Sequence, residues 1–126
     1  MTLTVPMRVL LMDDNEMVRD SSSLMLQHLG HEVSTATKGE EAIFLYFKAK
    51  NEGNPFDLTI MDIIIKDGLG GIETIKIMHS LSPDANFIIA SDYLDDIDFS
   101  DLKQYGVTGL LKKPYSIPDL DKILSK

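Results

Sequence analysis

At 126 residues the chain has the size of one ordinary domain, and with 44% hydrophobic and 25% charged residues its composition is that of a soluble globular protein. The lack of cysteine excludes a disulfide scaffold and a thiolate nucleophile, and three scattered histidines are poor material for a zinc site. A net charge of −8 argues against direct contact with nucleic acid, no apolar run approaches the roughly 20 residues that span a bilayer, and Met1 to Pro6 lack the layout of a signal peptide, so a cytoplasmic domain without membrane contact is expected.

Short apolar runs alternate with longer amphipathic stretches, the pattern of repeated strand and helix units around a parallel sheet. Strands are expected at roughly residues 7–12, 32–36, 57–61, 86–90 and 107–111, the first, third and fourth being nearly continuous apolar runs suited to burial on both faces. The first helix, about 16–29, carries Met17, Leu24, Met25 and Leu29 as its apolar face, with Asn15 as cap and Gly30 as terminator. Thr37 with Glu40 has the spacing of a capping box for the second helix, whose stripe is Ala42, Ile43, Leu45, Tyr46 and Phe47. Ile72, Ile75, Ile77, Met78 and Leu81 mark the third helix, stopped by Pro83, and Ser116 caps the last, with Pro118 and Asp119 in its first turn. The acidic run Asp92, Asp95, Asp96, Asp98 and Asp101 is expected to be a solvated helix face, Asp67 a loop residue, and His28, His31 and His79 surface or helix-end residues.

Five such units fit an α/β fold of the open doubly wound kind, in which ligands bind beyond the carboxyl ends of the strands. Asp13 and Asp14, Asp62, Ser91 and Lys113 all fall at the end of an expected strand or just past it, so the fold would gather residues that lie 100 positions apart. Three acids, a hydroxyl and an amine describe a place for a cation and a phosphate. A flavodoxin would need a hydroxyl- and glycine-rich loop where Asp13-Asp14-Asn15 stands, and a dinucleotide oxidoreductase would need G-x-G-x-x-G there. An aspartyl phosphohydrolase would need two acids one residue apart, whereas these are adjacent.

Leu11-Met12-Asp13-Asp14-Asn15, Asp57 to Asp62, Gly70-Gly71, Ala90-Ser91-Asp92-Tyr93 and Lys112-Lys113-Pro114-Tyr115, in this order and spacing, resemble the receiver domain of two-component and phosphorelay response regulators from Arg8 to Leu124. The loop Asp67-Gly68-Leu69-Gly70-Gly71 is similar to that of receivers attached to hybrid sensor histidine kinases. The resemblance implies a flavodoxin-like five-stranded sheet in the order 2-1-3-4-5 with helices on both faces, forming a single receiver (core about 7–125) without an output domain. It further implies Asp62 as phosphoacceptor from a histidine, Ser91 and Lys113 as groups that steady the phosphoryl oxygens, and Mg²⁺ or Mn²⁺ held by Asp13, Asp14, Asp62 and the main-chain carbonyl of Ile64. The protein would then be a signalling phosphoacceptor that assists its own phosphorylation and dephosphorylation, not an enzyme. Its partners would be a sensor histidine kinase or a histidine phosphotransfer protein, with a downstream protein on the fourth helix, fifth strand and fifth helix.

Three positions depart from the family pattern: Ile65-Lys66 has no loop proline, Leu110 replaces the aromatic three positions before Lys113, and Ile64 is aliphatic. Leu110 and Lys66 keep an alternative in play, a pseudo-receiver that serves as an interaction module without phosphorylation. Two further expectations follow. The aspartyl phosphate is hydrolysed slowly, since Ile64 and the bulky Tyr93 offer no group to position water, and Lys113-Pro114 is a cis peptide.

Overall fold

The computed structural model describes residues 5–63 and 69–125, with only the backbone at Asp96. Five parallel strands, β1 (Arg8–Met12), β2 (Glu32–Ala36), β3 (Leu58–Asp62), β4 (Phe87–Ser91) and β5 (Val107–Lys112), form one sheet in the order β2-β1-β3-β4-β5, as the resemblance implied. Their connections hold α1 (Glu16–His28), α2 (Gly39–Asn51), α3 (Gly71–Leu81), the single-turn α4 (Phe99–Leu102) and α5 (Ile117–Leu124). Short 3-10 turns at Leu94–Asp96 and Lys103–Tyr105 flank α4. The expected fourth helix is thus broken into three short pieces.

Every residue of β3 and β4 is buried, whereas β2, at an edge, is mostly exposed or half-buried. The two-residue period of a strand sends alternate side chains to opposite faces. Leu10 and Met12 therefore join Met61, Ile89, Phe87, Tyr46, Ile75 and Met78 beneath α2 and α3, while Val9 and Leu11 join Ile60, Ile88, Leu26, Leu120 and Leu124 beneath α1 and α5. Burying one such large apolar side chain is worth roughly 1.5–3 kcal/mol. A register shift opposite Phe87 and Ile88 lets Val107 face the first cluster and Leu111 the second, so that Lys113 leaves β5 with its amide donating to the Ser91 carbonyl at 2.9 Å.

Several helix faces differ from expectation. In α1, Met17 (82% exposed) and Leu24 (67%) point outward, and the buried positions are Ser22 and Leu26, because the helix turns its small hydroxyl and one leucine to the sheet. In α3, Ile75 and Met78 are buried but Ile77 and Leu81 are exposed. Asn15 caps α1, its side chain accepting from the Val18 amide at 3.1 Å, and Ser116 and Asp119 form a reciprocal capping box on α5. The box expected from Thr37 and Glu40 does not form. Here α2 starts one residue later, with Lys38 at the cap position, so Glu41 reaches back to the Thr37 amide at 2.7 Å and Glu40 is directed elsewhere. His31, expected at the surface or a helix end, is buried just before β2 with Nδ1 accepting from the Met7 amide at 3.0 Å. No helix among the described residues is long and apolar enough to cross a membrane.

Candidate phosphoacceptor site

The strand ends decide where the polar groups stand. Asp62 and Ser91 are the last residues of β3 and β4, Asp13 follows β1, and Lys113 follows β5, so all four meet at the carboxyl edge of the sheet. The Asp13 amide donates to Ala36 of neighbouring β2 at 3.0 Å, which fixes the backbone just past the strand. Asp13 is buried, with Oδ1 accepting from the Asn15 amide at 2.9 Å and Oδ2 from Lys113 Nζ at 2.7 Å. Lys113 Nζ also lies 3.4 Å from Asp62 Oδ2. One ammonium thus bridges two buried carboxylates. Asp14 is half-buried beside them, and an oxygen from each of Asp13, Asp14 and Asp62 lies within 4.8 Å of the others.

Such a cluster of carboxylate oxygens suits a hard divalent cation, which takes oxygen ligands and tolerates several carboxylates. The charge of the site is partly balanced within the chain. Burial acts to lower the pKa of the Lys113 ammonium, but its hydrogen bond to Asp13 and the charges of Asp62 and Asp13 outweigh that and hold the pKa above the usual lysine range. Lys113 stays protonated and serves as a fixed positive charge. The Ser91 hydroxyl accepts from the Tyr93 amide at 3.1 Å, which leaves its own proton for another acceptor. The Lys113-Pro114 peptide is cis, as expected.

These residues line a cleft of about 530 Å³ whose other wall is built by α1 and the segment after β5. Met17, Val18, Met25, Pro114 and Tyr115 give that wall an apolar character. Buried Ser22 and Tyr115 share a hydrogen bond at 2.5 Å, tying α1 to the segment that carries Lys113. Burial pushes the Tyr115 hydroxyl pKa up, against the opposing bond from Ser22, so the phenol remains neutral.

All the expected side chains, Asp13, Asp14, Asp62, Ser91 and Lys113, line this one cleft. The Ile64 carbonyl, the departures at Ile65 and Lys66, and the loop residue Asp67 lie outside the described residues. Two contacts escaped sequence reasoning. Arg19 donates to the Asp13 carbonyl at 2.9 Å, and the Ser22–Tyr115 pair joins positions 93 residues apart, for which no local pattern exists. Asp92, expected only on a solvated face, is exposed but also lines the cleft.

The entry and exit of the loop after Asp62 are closely held. The Gly71 amide donates to the Ile63 carbonyl at 3.3 Å, and a Cβ on Gly71 would stand 2.9 Å from Ile63 Cα, so only glycine allows this approach. Leu69 donates its amide to Glu40 Oε1 at 2.6 Å and accepts from the Gly39 amide at 3.2 Å.

The response regulator receiver domain family model matches residues 9–125. Among curated proteins, the sensor kinase CckA of Brucella abortus is 29% identical over 112 residues, 89% of this chain and 11% of that protein. The chain spans less than half the length of the curated relatives it matches, from 11% to 46%. Among solved structures, the chemotaxis protein CheY4 of Vibrio cholerae is 30% identical with a TM-score of 0.80, covering 95% of this chain and 97% of its own. The response regulator TrrA of Thermotoga maritima, solved in complex with Mg²⁺-BeF, is 28% identical with a TM-score of 0.77, covering 92% and 94%.

Proposed function

The chain belongs to the response regulator receiver family, and from that premise we propose that Asp62 accepts a phosphoryl group from a phosphohistidine of a partner protein. The observation that carries this is the bridge of Lys113 between Asp13 and Asp62 inside a cluster of three carboxylates. Asp13, Asp14 and Asp62 would hold Mg²⁺ or Mn²⁺, which when bound neutralises charge on the transferring phosphoryl oxygens.

The remaining work falls to the chain's own groups. A carboxylate oxygen of Asp62 attacks phosphorus as the bond to the donor imidazole breaks, with the bonding pair returning to the ring nitrogen. Lys113, released from one carboxylate, contacts a phosphoryl oxygen, and the Ser91 hydroxyl donates to another. No proton needs to leave Asp62, which already attacks as the anion, and no second substrate is turned over; this is signalling by a phosphoacceptor and not enzymatic turnover.

The donor would be a sensor histidine kinase or a histidine phosphotransfer protein. The apolar wall of Met17, Met25 and Pro114 beside the carboxylates suits an apolar side chain next to the donor histidine. A downstream protein would meet α4, β5 and α5, although α4 offers only one turn. Intact mass measured after acetyl phosphate and MgCl₂ tests the proposal: the parent gains one phosphoryl group and Asp62→Asn does not. An unmodified parent overturns it in favour of an interaction module that works without phosphorylation.

A further inference from the structure

We propose that α1 gauges the reach of Lys113, with Arg19 and the Ser22–Tyr115 pair as positioning residues for phosphoryl transfer. This role rests on Asp62 being the phosphoacceptor.

The contacts form a closed ring beside the carboxylates. On the side of β1, the Arg19 guanidinium donates to the Asp13 carbonyl at 2.9 Å and so holds the peptide that joins the adjacent acids Asp13 and Asp14. On the side of β5, the hydroxyls of Ser22 and Tyr115 bond at 2.5 Å, and Tyr115 follows Lys113 by two residues. The ring closes where Lys113 Nζ meets Asp13 Oδ2 at 2.7 Å, with Asp62 Oδ2 3.4 Å away. Arg19 and Ser22 lie three residues apart on α1, so they share a face at about 4.5 Å along the helix axis. One turn of helix thereby spaces the carboxylates from the ammonium.

Neither arm of the ring has much slack. Asp13 is also held through its amide on Ala36 at 3.0 Å and through Oδ1, which accepts from the Asn15 amide at 2.9 Å. The Lys113 amide is fixed on the Ser91 carbonyl at 2.9 Å, and the ring of Pro114 locks φ of the one residue between Lys113 and Tyr115. Ser22 and Tyr115 are both buried, so removing either hydroxyl strands the other. The charges of Lys113, Asp13 and Asp62 all act on the Tyr115 hydroxyl, which puts it within electrostatic reach of the cluster. Lys113 can steady a phosphoryl oxygen only from hydrogen-bond distance, and a misplacement of about 1 Å costs up to about a hundredfold in rate. Ser23 supplies a control, since its Oγ is buried and makes no hydrogen bond among the described residues.

The test compares Tyr115→Phe, Ser22→Ala, their double variant, Arg19→Ala, Arg19→Lys and Ser23→Ala in the full chain, each shown by circular dichroism to be folded at the assay temperature. Calorimetric titration gives Mg²⁺ affinity, and mass gain with acetyl phosphate at saturating Mg²⁺ gives the phosphorylation rate. Tyr115→Phe and Ser22→Ala should each lower that rate about tenfold at parental Mg²⁺ affinity, because the lost bond lies on the Lys113 arm. The double variant should be no slower than either single, since all three lose the same bond. Arg19→Ala should instead weaken Mg²⁺ binding about tenfold, as when outer partners of a metal site are removed, and Arg19→Lys, which keeps a donor, should recover most of the loss. Ser23→Ala should match the parent.

A general loosening of the fold would lower Mg²⁺ affinity and rate together in Tyr115→Phe and Ser22→Ala, and that result overturns the proposal. So do losses that multiply in the double variant, parental Mg²⁺ affinity in Arg19→Ala, an Arg19→Lys variant as weak as Arg19→Ala, or an equal loss in Ser23→Ala. A parent that binds Mg²⁺ and gains a phosphoryl group, beside hydroxyl variants with the same rate, overturns this inference alone. A parent that does neither overturns the phosphoacceptor role as well.

Discussion

Replacing Lys113 with Met removes the ammonium that bridges Asp13 and Asp62 while keeping a side chain of similar length and apolar stem. Two carboxylates that the protein buries almost completely then face each other, with Asp14 beside them. Their oxygens lie within 4.8 Å, where two like charges repel by about 3.5 kcal/mol at an effective dielectric of about 20. Removal of one partner from a buried pair costs about 3–5 kcal/mol in measured cases, so the Lys113→Met variant in EDTA should lose about 3 kcal/mol. For a domain of this size that is a fall of roughly 10 °C in Tm. Urea unfolding followed by far-UV circular dichroism, with EDTA or with saturating MgCl₂, measures it. Mg²⁺ should stabilise the variant more than the parent, because in the variant it replaces the missing positive charge and does not compete with an ammonium. A second change, Asp62→Asn, should recover more than half of the loss by removing one of the repelling charges. An unchanged urea midpoint in EDTA would refute the electrostatic argument, as would equal stabilisation of parent and variant by Mg²⁺.

Further outcomes follow from other parts of the structure. His31 is held neutral by burial, against the pull of Asp121, so its folded pKa lies below the ordinary 6.5. Its contribution to stability is present above pH 6.5 and is lost as pH falls through the folded value; relative to His31→Asn, whose Oδ1 can accept from Met7 without titrating, the parent should lose about 1 kcal/mol across that fall in chemical denaturation. Ile75→Ala, at a fully buried position in α3, should cost about 2–5 kcal/mol in the same assay, and a loss below 1 kcal/mol would contradict the packing described. Gly71→Ala should destabilise by about 1–3 kcal/mol and slow phosphorylation, because its Cβ meets the backbone of Asp62 and Ile63. The aspartyl phosphate should persist for minutes or longer in the purified protein with Mg²⁺, since the bulky ring of Tyr93 (65% exposed) stands two residues after Ser91; mass spectra showing its loss within seconds would contradict this.

The central elements were legible because their signals are local. Runs such as Leu58 to Met61 and Phe87 to Ala90 are apolar without interruption, and a polar residue closing each run marks the carboxyl edge at which the site forms. Motif order then linked Asp13, Asp14, Asp62, Ser91 and Lys113, and the cleft holds all five. What could not be read depends on neighbours distant in sequence. Met17 and Leu24 fit a helical stripe as well as Leu26 does, and only the position of α1 against the sheet turns Leu26 inward. The spacing of Thr37 and Glu40 satisfies a capping box, yet a one-residue shift in the helix start hands that role to Glu41 and sends Glu40 to Leu69. His31 reads as a surface or helix-end histidine until the residue before β1, Met7, arrives beside it with an amide for its ring. The acidic run from Asp92 to Asp101 gave no sign that its helix would stop after one turn.

That short helix has a consequence for local stability. Among the described side chains between Asp92 and Tyr105, Leu102 alone is buried, while Leu94, Ile97, Phe99 and Tyr105 are half-buried and Tyr93 is exposed. A stretch with so little apolar surface removed from water should detach at a free energy below that of unfolding the sheet, and native-state hydrogen exchange of its amides measures this. Its first link to the rest is the Tyr93 amide on the Ser91 hydroxyl. This stretch, held to the sheet by few buried side chains, is therefore moored to the hydroxyl that lines the cleft.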